Sequence, residues 1–80
     1  TNFKKNIVNK ITFKLKTEEE YIQLLMLLKI KQMAQTGGHA KIIIENGLVK
    51  VNGEIEFRKR KKLRKGDLVE LDDSIIEIIT

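Results

Sequence analysis

Eighty residues, 41% of them hydrophobic, suffice for one domain with a thin core, near the lower end of what folds without staples. With no cysteine, disulfides and thiolate metal sites are excluded, and the longest apolar stretches, such as Leu24 to Leu28, fall far short of a membrane span. The net charge of +5 is unevenly spread: residues 29–65 carry eleven Lys/Arg against three Glu, while residues 66–80 carry five acids and no base, which suits a polyanion on one face.

Residues 1–10 are polar and weakly patterned and read as a loose arm, leaving residues 11–80 as the single domain. Lys4, Lys5, Lys10, Lys14 and Lys16 interrupt every candidate signal segment, so a cytoplasmic protein is expected. Alternation of Ile11, Phe13 and Leu15 with Thr12, Lys14 and Lys16 predicts a half-buried strand. Thr17 and Glu20 have capping-box spacing, which predicts a core helix over about 18–32 with Tyr21, Leu24, Leu25, Leu28 and Met33 on its apolar stripe. Thr36 can cap a second helix over about 38–45, with Ala40, Ile43 and Ile44 inward, and Asn46-Gly47 suits its end. Leu48, Val49 and Val51 form a short strand, Asn52-Gly53 a two-residue hairpin, and Ile55 and Phe57 open the return strand. Further strands at residues 68–71 and 75–79 are set off by Lys65-Gly66-Asp67 and Asp72-Asp73-Ser74. The order predicts an α+β fold, two helices with a small, mostly antiparallel sheet. Phe13, Tyr21 and Phe57 are expected in the core.

The run Arg58-Lys59-Arg60-Lys61-Lys62-Leu63-Arg64-Lys65 is the sharpest chemical feature, seven bases in eight residues. Such crowding is destabilising until anions relieve it, and phosphates do so with release of their counterions. The plainer reading is an edge strand made basic to prevent sheet-to-sheet association, for which two or three lysines would serve. Thr36-Gly37-Gly38 offers helix-start amides that no side chain screens, and Lys41 lies one turn further in. The same glycines also suit a tight turn. Lys29 and Lys31 come near that opening if the helices form a hairpin, although cations at a helix end also answer its dipole. His39, the single histidine, has no second ligand for zinc and no nucleophile in a recognisable context, so it reads as a surface or contact residue. No Walker loop, dinucleotide fingerprint or carboxylate pair is present. The expectation is no enzyme, no cofactor, no metal, no small-molecule substrate and no membrane partner. With four aromatic residues in all, base-stacking platforms are scarce, which favours structured RNA or a duplex read by shape and backbone.

The stretch from Thr36-Gly37-Gly38-His39-Ala40-Lys41 through Val49-Lys50-Val51-Asn52-Gly53, followed by Arg58, Arg60, Lys62 and Gly66-Asp67, strongly resembles the ribosomal protein S4-like RNA-binding domain. More narrowly it is similar to the short stand-alone bacterial type (YaaA and YbcJ-like), over about residues 18–79, and the added N-terminal strand suits that type. The resemblance implies an αL arrangement of two helices on a small sheet that binds RNA, with ribosomal RNA or a ribosome-bound RNA, and with it the ribosome, as partner. It implies contacts from Thr36, Gly37, Gly38 and Lys41 and from Arg58, Arg60 and Lys62, with Asn52-Gly53 and Gly66-Asp67 structural. Gln32 departs from the pattern, since relatives often place glycine there. Lys59 and Lys61 add charge beyond it. Two other functions fit a basic surface: an adaptor for an acidic protein, and a duplex-DNA binder.

Overall fold

The structure, a computed structural model, describes residues 9–80. Strand β1 (Asn9–Lys14) is followed by β2 (Ile22–Gln23), α1 (Leu24–Ile30), α2 (Gly37–Glu45), β3 (Val49–Val51), β4 (Glu54–Ile55), β5 (Lys62–Leu63), β6 (Leu68–Leu71) and β7 (Ser74–Ile79). Five strands form one sheet in the order β1-β7-β6-β3-β4, and β2 pairs with β5 in a second, two-stranded sheet. All pairings are antiparallel except that of β1 with β7, which runs parallel from Asn9↔Ser74 to Lys14↔Ile79. The expected α+β architecture with an added N-terminal strand is the one observed. That strand takes in Asn9 and Lys10, which the sequence reading had assigned to a loose arm; residues 1–8 of the arm lie outside the described residues.

Both layers share one core. Leu24, Leu27 and Leu28 of α1 and Ala40 and Ile44 of α2 are buried in the same cluster as Val49, Leu63, Val69, Ile76 and Ile78 from the strands. In β1, Ile11 and Phe13 pack against this cluster from its margin, while Lys10, Thr12 and Lys14 are exposed, as period-two alternation requires. Lysines on an edge strand also discourage pairing with another chain.

The first helix corrects the sequence reading most. It spans Leu24–Ile30, not 18–32, and the Thr17–Glu20 capping box does not form. Glu19 instead closes a local turn, its backbone N–H donating to the Lys16 carbonyl and its carboxylate accepting from the Lys16 N–H. Ile22 and Gln23 are drawn into pairing with Leu63 and Lys62. Tyr21 thereby leaves the expected apolar stripe and is exposed.

Both helices end in the same motif. In α1, Gln32 N–H donates to Lys29 O and Met33 N–H to Leu28 O; in α2, Gly47 N–H donates to Ile44 O and Leu48 N–H to Ile43 O. These are Schellman closures, which need the residue after the cap in the left-handed region. Gly47 adopts φ +74° and Gln32 φ +59°. Glycine carries no steric cost there and glutamine does. Gln32→Gly is therefore expected to raise stability by about 0.5–1 kcal/mol, read as a higher urea midpoint with unchanged slope. A lower midpoint would mean that the glutamine side chain holds something the backbone argument omits.

The hairpin at Asn52-Gly53 is the expected two-residue turn, with φ +53° and +86° at its centre, closed by Val51↔Glu54. Asn52 does a second job. Its amide donates to Asp67 Oδ1 at 3.0 Å, its side-chain oxygen accepts from Leu68 N–H at 2.9 Å, and Asp67 Oδ2 accepts from Arg64 N–H at 2.8 Å. The structural role expected of Asn52 and Asp67 is thus a cross-link between the hairpin and the turn that leads out of the basic run.

Candidate nucleic-acid interface

The basic run is not an edge strand. Only Lys62 and Leu63 are extended and paired; residues 56–61 form a loop with a turn at Lys59-Arg60. Two backbone bonds tie that loop down. Leu24 N–H donates to Lys61 O at 2.9 Å and Leu25 N–H to Lys59 O at 3.0 Å. The N-cap residue of α1, Gln23, makes no side-chain capping bond, so the loop carbonyls serve the orphan amides that begin any helix. Capping thereby fixes the loop backbone, and Leu63 anchors its far end in the core at 0% exposure.

Arg58, Lys59, Arg60, Lys61, Lys62 and Arg64 all line one open groove of about 720 Å³, with Phe57 and Glu45 completing it. The cations are not equivalent. Arg58 folds back on Glu56, with Nε 2.9 Å from Oε2, a terminal nitrogen 3.1 Å from Oε1, and its own backbone N–H 3.0 Å from Oε2. That hydrogen-bonded guanidinium is the main cause holding the Glu56 carboxyl below the usual carboxylate range; partial burial opposes it, and the nearby Lys61 charge assists. The pair's contribution is therefore present above the ordinary carboxylate range and fades as pH falls through the lowered value. Arg58 is a contact candidate whose charge is already partly answered. Lys62 and Arg64 flank Tyr21, with the ammonium 4.9 Å and the guanidinium 5.5 Å from the ring centroid.

The second helix opens as expected and one residue earlier, at Gly37. Thr36 Oγ1 accepts from the His39 N–H at 3.0 Å, and His39 Nδ1 in turn accepts from the Gln35 N–H at 3.1 Å. Thr36 caps the helix in the ordinary way, while the histidine at the third helical position reaches back to the residue before the cap and not to Thr36 itself. His39 is thus an exposed side chain that fixes the backbone leading into the helix. The bonds at this opening use the amides of His39 and Ala40 rather than those of Gly37 and Gly38. A β-carbon built on Gly37 would stand 3.9 Å from Leu25 Cδ1, and one on Gly38 would stand 3.8 Å from Thr36 Oγ1. Both are ordinary contacts, and neither glycine has a positive φ. The fold itself does not require glycine at either position.

Leu25 joins the two candidate regions. Its side chain borders Gly37, and its amide is bonded to the loop at Lys59. At the other end of α2, Glu45 lines the groove. The loop is thus tied to α1 at Leu25 and shares a groove with the end of α2. Lys41 is exposed on that helix, one turn from the opening. Lys31 is not brought into this arrangement, since its ammonium lies 5.8 Å from the Phe13 centroid, towards β1. Lys29, in the last turn of α1, is exposed.

Three residues in or beside the basic run escaped the sequence reading. Phe57, expected in the core, is 59% exposed. Arg64 lies within the flagged run but was not among the contact candidates, although it lines the same groove. Glu56 was also missed, and its signal was available, because residues two apart in an extended segment share a face.

Among the described residues no group of His, Asp or Glu is placed to hold a metal ion, and no helix is long and apolar enough to cross a membrane. The S4 domain family model matches residues 13–79. The chain is 36% identical over 59 residues, 74% of its length and 84% of the relative's, to the Escherichia coli (strain K12) "Putative RNA-binding protein YbcJ". It is 38% identical over 55 residues, 69% and 78% of the two lengths, to the Bacillus subtilis (strain 168) "Probable ribosome maturation protein RlbA". The solution structure of E. coli YbcJ, described as having an αL motif involved in RNA binding, superposes with a TM-score of 0.66 at 31% identity over the whole of both chains. With its order of helices and strands, its Thr36-capped second helix and this match across most of its length, the chain belongs to the S4 domain family.

Proposed function

We propose that this domain binds RNA without catalysing a reaction on it, using the anchored basic loop and the opening of α2 to hold phosphates. The observation that carries the reading is the groove lined by six Lys or Arg side chains, four of them on a loop whose backbone is already fixed by capping α1. A preordered cationic surface gains phosphate contacts without first losing loop entropy. Gly37 and Gly38 support it, because glycine there lets a phosphate oxygen approach the helix amides and is not demanded by the protein's own packing. RNA binding in the printed names of the E. coli relative and solved structure supports the same ligand class.

The finer reading is a folded RNA, ribosomal or ribosome-associated, in the cytoplasm. Support comes from the ribosome-maturation name of the B. subtilis relative and from the shortage of aromatic platforms for long single strands. Matched RNA and DNA hairpins titrated at two salt concentrations test it. Tighter RNA binding with a steep salt slope is expected, and Gly38→Ala should weaken it about 5- to 10-fold while leaving the fold at least as stable, because alanine is the better helix former. Equal affinity for DNA would favour a duplex-DNA binder. Binding to neither hairpin would leave an adaptor for an acidic protein.

A further inference from the structure

We propose that the basic groove receives an unpaired nucleotide of the bound RNA, its base stacked on Phe57 and its flanking phosphates on the loop cations. The inference rests on the RNA-binding reading and adds a feature the RNA must have. Phe57 is 59% exposed, an unfavourable place for an aromatic ring in water. Its position is nevertheless defined. A β-carbon at Gly47 would stand 3.3 Å from Phe57 Cε1 and 3.6 Å from Cζ, so the ring sits close against the bare backbone that ends α2. From there it lines the same groove as the six cations. Phosphate contacts alone gain nothing from a phenyl ring in their midst.

Charge decides the occupant. An apolar peptide would have to settle among six cations, whereas a nucleotide presents a flat π-face and an anion within one residue. A duplex cannot use the ring, because its base faces are covered by their neighbours; only a bulged or looped-out base exposes one. Glu45, on the groove wall and in none of the salt bridges found among the described residues, fits the same occupant. A carboxylate repels phosphate but accepts from the ring and exocyclic N–H groups of a base. It reserves its end of the groove for the base and leaves the loop end for the backbone.

The test uses a short RNA hairpin carrying one bulged 2-aminopurine and the same hairpin fully paired, each titrated with the full chain. The bulged hairpin is expected to bind about 10-fold tighter, with 2-aminopurine fluorescence quenched on binding. Phe57→Ala should bring the bulged hairpin down to the affinity of the paired one and abolish the quenching, and Phe57→Tyr should retain both. Equal binding of the two hairpins by the unaltered chain, or an equal loss on both in Phe57→Ala, overturns the inference and leaves RNA binding intact. Binding of neither hairpin sinks the RNA reading and this inference with it.

Discussion

Replacing Lys59, Arg60 and Lys61 together by alanine should lower RNA affinity about 100-fold near physiological salt and flatten the dependence of log K on log salt by about 2–3. The three side chains line the groove, and Arg60 is exposed. None is the cation that answers Glu56 in the ion pair found there. Their anchoring function resides in the backbone, since Leu24 and Leu25 bond the carbonyls of Lys61 and Lys59, and alanine retains it. Fluorescence anisotropy across a salt series reads both quantities, with a thermal melt to show that the fold is unchanged. An affinity loss with an unaltered salt slope would mean that the three charges do not meet phosphates.

The largest expected effect on stability comes from Leu63→Ala, about 3 kcal/mol for truncating a fully buried leucine. A domain of this size commonly has on the order of 4–12 kcal/mol in total, so a fall in melting temperature of about 12–24 °C should follow. Leu63 is 0% exposed and pairs with Ile22 at the root of the basic loop. A cavity there loosens the join between the loop and the start of α1, so RNA affinity measured well below the melt should fall too. A shift of only a degree or two, by circular dichroism, would show that the neighbours collapse into the space, or that Leu63 contributes little.

Where the sequence can be read directly, the controlling physics is local. Asn52-Gly53 and Gly47 announce turns through the conformations their own residues tolerate, and Thr36 caps α2 with a bond to a residue three positions on. The start of α1 is different. Its capping groups are carbonyls at positions 59 and 61, more than thirty residues away in the chain, and no pattern around Thr17 reports them. The capping-box spacing was a sound local signal overridden by pairing of Ile22 and Gln23 with β5. The aromatic residues failed for a related reason, since whether Tyr21 or Phe57 lies inside depends on what the fold sets over it. The positive charge of the basic run was legible from its composition. Its partition was not: Arg58 bound to Glu56, Lys62 and Arg64 flanking Tyr21, and Lys31 drawn towards β1 emerge only in three dimensions.

The parallel pairing of β1 with β7 bears on how the molecule comes together in time. Asn9 is matched with Ser74 and Lys14 with Ile79, so the earliest described strand has no partner until the latest is made. During synthesis Ile11 and Phe13 must wait, uncovered, while nearly everything between them and Ser74 emerges. Such distant matching adds pairings between the two ends of the described chain that close last and slow the final folding step.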